Sequence, residues 1–266
     1  MAQFFEVHPV NPQARLLKQA AQILQDGGIA AVPTDSSYAL VCRLDDKAAA
    51  EQLRRIRQVD DKHHLTLLCR DLSELASYAR VDNRQYRILK LGTPGPFTFI
   101  LEATKEVPRR LSHPSRRTIG LRVPEHKVLQ ELLSLFGQPL LATTLIPPGE
   151  REPLNDAEEI RQRFEKLLQA VVDAGACPME PTTVIDLTGE VPELIRQGRG
   201  NPSRLGLCGG RRRAGATEGA RSPRPCGSAG RRRGMPVRRW PGSGRRCRRR
   251  CDWRRSRGRS PGPRCC

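Results

Sequence analysis

Along the first 207 positions, short aliphatic runs that end in polar clusters alternate with longer stretches whose apolar side chains recur at helical spacing. This interleaving of strand and helix periodicity constrains the fold more than any other feature. It predicts one α/β domain, a twisted and mostly buried sheet with helices packed over it, rather than a bundle or sandwich.

A first helix starts at Asn11-Pro12, turns Leu16, Leu17, Ala20, Ile23 and Leu24 inward, and stops at Gly27-Gly28. A strand over 29–32 follows, then a helix over 46–59 and a strand over 65–69. Asp71 and Asp82 or Asn83 cap two more helices, the second ending at Gly92. Strands are expected over 97–101 and 118–123, a helix over 124–136 stopped by Gly137, and a strand over 140–145. Asp156 caps a helix expected to run to 172, and "TTVIDL" and "ELIRQG" supply two final strands.

The pattern collapses after Leu207, which divides the chain into a domain over 1–207 and a tail over 208–266. The tail holds twenty Arg and no Lys against one Asp and one Glu, a net +18 of the chain's +19, so the body carries only +1. A segment of Arg, Gly, Pro, Ser and Cys with few aliphatic residues cannot bury enough surface to offset its chain entropy, and disorder is expected. An Arg-rich arm of this kind can bind RNA without sequence preference. Cys247 and Cys251 could join a metal site, a weaker reading without histidines. In the body, Cys42, Cys69 and Cys177 read as reduced core thiols of a cytoplasmic protein. No leader-like segment and no apolar stretch of about 18 residues is seen, so no membrane span is expected.

Neither a P-loop nor a G-x-G-x-x-G turn is present, nor G-x-S-x-G. The adjacent His63 and His64 point apart on any regular element and read as a surface pair rather than metal ligands. What remains is polar clusters at strand ends: "PTDSS", "TPGPFT", "GLRVP", "LATT", "PTT" and "RQGRG". Ligands of open α/β sheets bind beyond strand ends. Hydroxyls with Arg122 and Arg196 suit a carboxylate and phosphates, because a guanidinium donates two parallel hydrogen bonds to either anion. Any one cluster alone reads as a turn or a surface arginine.

These motifs, in order over about residues 6–205, resemble the YrdC-like threonylcarbamoyl-AMP synthases. "PTDSSYAL" is similar to that family's P-T-D-T-x-Y-G-L, "TPGPFTFIL" to its P-G-P-x-T strand, and "IRQG" to its R-x-G; "GLRVPEHKVLQELL", "PLLATT" and "PTTVIDL" fall where its later motifs fall. The YciO branch shares "CRDLSEL" and "TKEVPRRL" as well. The resemblance implies a YrdC/RibB-like fold, a twisted mixed sheet with helices packed around a central ligand cleft. It also implies that threonine and bicarbonate form a carbamate that attacks the α-phosphate of ATP. Pyrophosphate leaves, giving threonylcarbamoyl-AMP for modification of tRNA adenosine-37, and Mg2+ accompanies the ATP.

On that resemblance Thr34, Arg122, Thr144 and Thr182 bind L-threonine, with Arg122 on its carboxylate. Arg55, Arg57, Thr98 and Arg196 bind the nucleotide; no resident metal is expected. Two departures stand out. The family's K-x-R falls on Arg55 and Arg57, with Lys62 nearby, and its S-x-N falls on Thr144 and Ile146. Isoleucine cannot replace an amide's hydrogen bonds, and losing one to a charged group costs about 1.5–3 kcal/mol. Weak or altered synthase activity is therefore expected. The alternative is a YciO-type protein that binds double-stranded RNA or tRNA without chemistry, through Arg54, Arg55, Arg57, Arg109, Arg110, Arg116 and Arg117. Because the family match ends where the composition changes, the tail also fits GC-rich DNA translated in a shifted frame.

Overall fold

The structure is a computed structural model that describes residues 1–60, 65–111 and 117–207. The expectations for His63, His64, Lys62, Arg116 and the tail over 208–266 lie outside the described residues. All described residues fall within one contact unit.

Among the described residues, ten strands form one mixed sheet: β1 (Gln3–Glu6), β2 (Ala30–Val32), β3 (Ala39–Arg43), β4 (Thr66–Leu68), β5 (Phe97–Glu102), β6 (Thr118–Arg122), β7 (Leu140–Thr144), β8 (Ala170–Asp173), β9 (Thr183–Asp186) and β10 (Glu193–Arg196). Their spatial order is β1-β8-β2-β3-β7-β4-β6-β5-β9-β10. The pairs β1–β8, β8–β2, β4–β6 and β5–β9 are parallel and the others antiparallel. The helices are α1 (Ala14–Gln25), α2 (Lys47–Arg57), α3 (Leu72–Tyr78), α4 (Asn83–Gly92), α5 (Lys127–Phe136) and α6 (Ala157–Phe164).

Local chemistry sets most boundaries. Asp46, Asp71 and Asp156 accept backbone N–H bonds at the starts of α2, α3 and α6, and Asp82 forms a reciprocal capping box with Gln85 at α4. Each satisfies donors the first turn leaves unpaired. Gly137 ends α5 at φ 78°, a conformation glycine adopts without strain. At α1 the N-cap is Gln13, without a side-chain bond, rather than Asn11.

One expectation is corrected. The helix beginning at Asp156 ends at Phe164, and residues expected in its last turns form β8. Val171 and Val172 continue the helical spacing, but β8 lies between β1 and β2 and satisfies its backbone on both sides. A short β-branched run buried on both faces fits a parallel strand better than a helix end.

Alternation along the strands sorts the core into two layers. Ala30, Val32, Ala39, Val41, Leu140, Ala142, Ala170 and Val172 meet α1 and α5 on one face. Leu40, Cys42, Leu67, Phe99, Leu121, Leu141 and Val171 join the layer that includes Leu53, Leu89 and Ile160 on the other. The α1/α5 layer reaches β7 and, on β4, Leu68. Beyond it, Ala142 pairs with Thr66, Thr66 with Gly120, and Gly120 with Ile100, so the same sheet face continues through β4, β6 and β5. These residues are the floor of the cleft.

Candidate functional site: a cleft on the uncovered sheet face

The cleft has a volume of about 410 Å³. Its floor is small or apolar: Thr66, Leu68, Ile100, Gly120, Ala142 and Val184. A Cβ on Gly120 would lie 3.2 Å from Thr66 Oγ1 and 3.4 Å from Thr98 Cγ2, so glycine keeps the floor flat.

The first wall is the loop after β2. Thr34 Oγ1 accepts from the backbone N–H groups of Ser36 (3.1 Å) and Ser37 (3.2 Å) and donates to the Ser37 carbonyl at 2.7 Å. Ser36 Oγ lies 3.1 Å from Thr34 Oγ1. Thr34 lines the cleft, yet its hydroxyl is occupied in shaping the turn. Just beyond, Tyr38 is fully buried and its hydroxyl donates to the Gly175 carbonyl at 3.0 Å. Burial pushes its phenol well above the usual range.

Arg122, at the end of β6, is buried with Asp35; their side chains are 8% and 9% exposed. Arg122 Nη2 donates to Asp35 Oδ1, and Nη1 donates to Ser36 Oγ at 3.0 Å. Desolvation pulls the Arg122 pKa down while Asp35 opposes that shift. A guanidinium keeps its charge at neutral pH under such shifts. Asp35 Oδ2 and Arg122 Nε are buried without hydrogen-bond partners, as is Nδ1 of the neighbouring His126. Arg199 Nη1 donates to the Asp35 carbonyl at 2.7 Å.

The opposite wall joins β5, β9 and β10. The Thr98 and Thr182 hydroxyls are 2.9 Å apart, and Arg196 Nη2 donates to the Thr182 carbonyl at 3.1 Å. Across from them Arg57 Nη1 donates to the Ile146 carbonyl, and Ile146, Thr143 and Thr144 complete the lining. Burial lowers the pKa of both Arg57 and Arg196.

Of the expected site residues, the cleft gathers Thr34, Arg57, Thr98, Arg122, Thr144, Thr182 and Arg196. Arg55 is the exception: it is exposed and lies with Arg54 and Gln58 at another depression, because residues two apart on a helix diverge. Arg110 is turned to the Leu44 and Asp45 carbonyls. Asp35 and Arg199, which stand inside the quoted strand-end clusters, have no individual role in the sequence reading. Cys42, Cys69 and Cys177 are free and buried, and burial pushes the Cys177 thiol up to about 11. Among the described residues no cluster could hold a metal ion, and no helix is long and apolar enough to cross a membrane.

Comparison with known proteins gives this geometry a context. The signature of the Sua5/YciO/YrdC family, described as "Telomere recombination", matches residues 22–198. YciO of Escherichia coli is 50% identical over 201 residues, covering 76% of this chain and 98% of YciO. Its crystal structure superposes with a TM-score of 0.75 over 77% of this chain and all of that one. A threonylcarbamoyl-AMP synthase of Serratia proteamaculans is 28% identical, covering 66% of this chain and 92% of the synthase. The P. abyssi Sua5 structure, complexed with L-threonine, is 23% identical, shares the fold with a TM-score of 0.68, and is aligned over 73% of this chain and 57% of Sua5. The chain therefore belongs to the Sua5/YciO/YrdC family.

Proposed function

We propose that this cleft binds L-threonine and ATP and supports threonylcarbamoyl-AMP synthase chemistry in weakened or altered form. The observation that carries the reading is three guanidiniums, Arg57, Arg122 and Arg196, around one cavity edged by threonine and serine hydroxyls. Its volume suits a small-molecule site, typically about 300–1,000 Å³. The P. abyssi relative was solved with L-threonine, and the Serratia relative is named for the synthase reaction.

In this reading Arg122 orients the threonine carboxylate, with Thr144 and Thr182 beside the amino acid. Arg57, Thr98 and Arg196 hold the phosphates, and Mg2+ enters with the nucleotide. The carbamate attacks the α-phosphate and pyrophosphate leaves, so the protein contributes positioning and charge neutralisation. Ile146 lines the cleft where the synthase pattern has an amide donor, and that loss corresponds to roughly ten- to a hundred-fold in rate or affinity.

The test is pyrophosphate release by the full chain with ATP, Mg2+ and bicarbonate, with and without L-threonine, beside the Serratia synthase. Threonine-dependent release about ten- to a hundred-fold below that enzyme is expected. Release that ignores threonine overturns the reading and leaves RNA binding as the family alternative.

A further inference from the structure

We propose that the hydrogen bond from Arg57 to the Ile146 carbonyl is a latch on the loop over 145–154, and that a polyphosphate ligand opens it, so that this loop loosens when phosphates bind. This deepens the proposed function, on which it rests, by giving the nucleotide end of the cleft a conformational response.

The two arginines at that end are tied differently. Arg196 Nε and Nη2 donate to the Thr182 carbonyl at 3.3 and 3.1 Å, a bond within the β9 and β10 wall. Arg57, the last residue of α2, instead reaches across 89 positions to a loop. Its Nε is buried without a partner, which leaves the Nη1 and Nη2 edge for a bidentate anion, and there Nη1 already serves Ile146. A guanidinium bonds more strongly to an ionised phosphate oxygen than to a neutral carbonyl. A phosphate oxygen brought to the same nitrogen also repels the carbonyl oxygen beside it. The phosphate therefore displaces the carbonyl. Arg57 and Ile146 both line the cleft, so a ligand meets the latch directly.

The loop is shaped to respond as a unit. The Leu154 N–H donates to the Leu145 carbonyl at 3.0 Å and both side chains are buried, so the excursion closes on itself at an anchored base, as an Ω-loop does. The Glu150 N–H donates to the Pro147 carbonyl at 3.1 Å, and Pro147, Pro148 and Pro153 restrict the backbone between. Besides Arg57, Arg163 of α6 holds the loop through Glu150. Those two side chains are 36% and 44% exposed, and exposed pairs contribute little. Release at Ile146 therefore frees the loop above its base, with Arg57 as the positioning residue.

The experiment follows amide hydrogen exchange in peptides spanning 145–154 of the full chain, alone and with ATP, tripolyphosphate or L-threonine, with binding of each probe measured by calorimetry. The amides of Ile146, Glu150 and Leu154, bonded within the loop, are the reporters. ATP and tripolyphosphate are expected to speed their exchange at least about fivefold, and threonine to leave it unchanged. Arg57→Ala is expected to exchange that fast without ligand, with no change in peptides from α1. Arg163→Ala, which breaks the exposed pair, is expected to stay within about twofold of the unaltered chain. Bound ATP that slows exchange or leaves it unchanged overturns the inference while keeping the cleft as a nucleotide site. So does an Arg57→Ala protein whose loop is no faster than that of the unaltered chain, or an Arg163→Ala protein as loose as Arg57→Ala. No binding of ATP or tripolyphosphate overturns the proposed function and the inference together.

Discussion

A guanidinium closed off from water is tolerated only beside a partner, and in this chain Arg122 has two, Asp35 and Ser36. Removing one member of a buried pair leaves an uncompensated charge, so Asp35→Ala should destabilise the fold by about 3–5 kcal/mol, read as a lower urea midpoint. Asp35→Leu combined with Arg122→Met removes both charges and should recover most of that loss; a double variant no better than the single would show that the loop, not the charge, fails. His126 obeys the same physics with a titratable group. Burial holds its imidazolium pKa below the ordinary value, with Asp35 opposing that shift and Arg122 adding to it. Because the unfolded chain then takes up the proton first, stability is fully present above the ordinary His pKa of about 6.5 and falls as pH drops from there towards the depressed folded value. The urea midpoint should decline between about pH 7.5 and about pH 5.5, and His126→Gln should shrink that decline.

Among the elements, those legible in the sequence were those whose signals are local. Caps at Asp46, Asp71, Asp82 and Asp156 fix helix starts from a single side chain each. Three strands were not read: β1, β3 and β8. β3 follows the polar loop so closely that "ALVCR" was given no strand of its own, and β8 reads as a helix end until its neighbours β1 and β2 are known. The cleft was visible because strand-end polar clusters interrupt apolar runs. Its internal wiring was not, since Arg122 reaches Asp35 across 87 positions and Arg199 reaches it across 164. The segment after β10 carries a prediction of its own. A Cβ at Gly198 would sit 2.0 Å from the Pro181 carbonyl oxygen, and one at Gly200 would sit 2.5 Å from the Phe97 ring. Gly198→Ala must therefore push this segment off β9, loosening Arg196 from Thr182 and Arg199 from Asp35. A cost of about 1–3 kcal/mol and weaker threonine binding are expected, by thermal melting and calorimetry. An alanine variant that binds as well as the original chain would show that Arg199 is not needed to hold the loop.

At the scale of the whole molecule, charge and fold part company. The net +19 is carried almost entirely by residues 208–266, while the nearly neutral first 207 residues contain the sheet, its two apolar layers and the cleft. The E. coli YciO structure is matched over its whole length by 77% of this chain. A tail of net +18 is expected to dominate any RNA affinity measured on the full chain. Phosphate contacts by arginine make affinity fall steeply as salt rises, with a slope proportional to the number of phosphates neutralised. Binding of an RNA duplex by the full chain should show that steep fall, and a chain ending at Leu207 should lose most of both the affinity and the slope. Threonine binding by the same shortened chain should be unchanged, because the cleft lining among the described residues ends at Arg196 and Arg199 is retained. A steep slope that survives the truncation would instead place the RNA contacts on the body, where Arg54 and Arg55 near the end of α2 are the first arginines to replace.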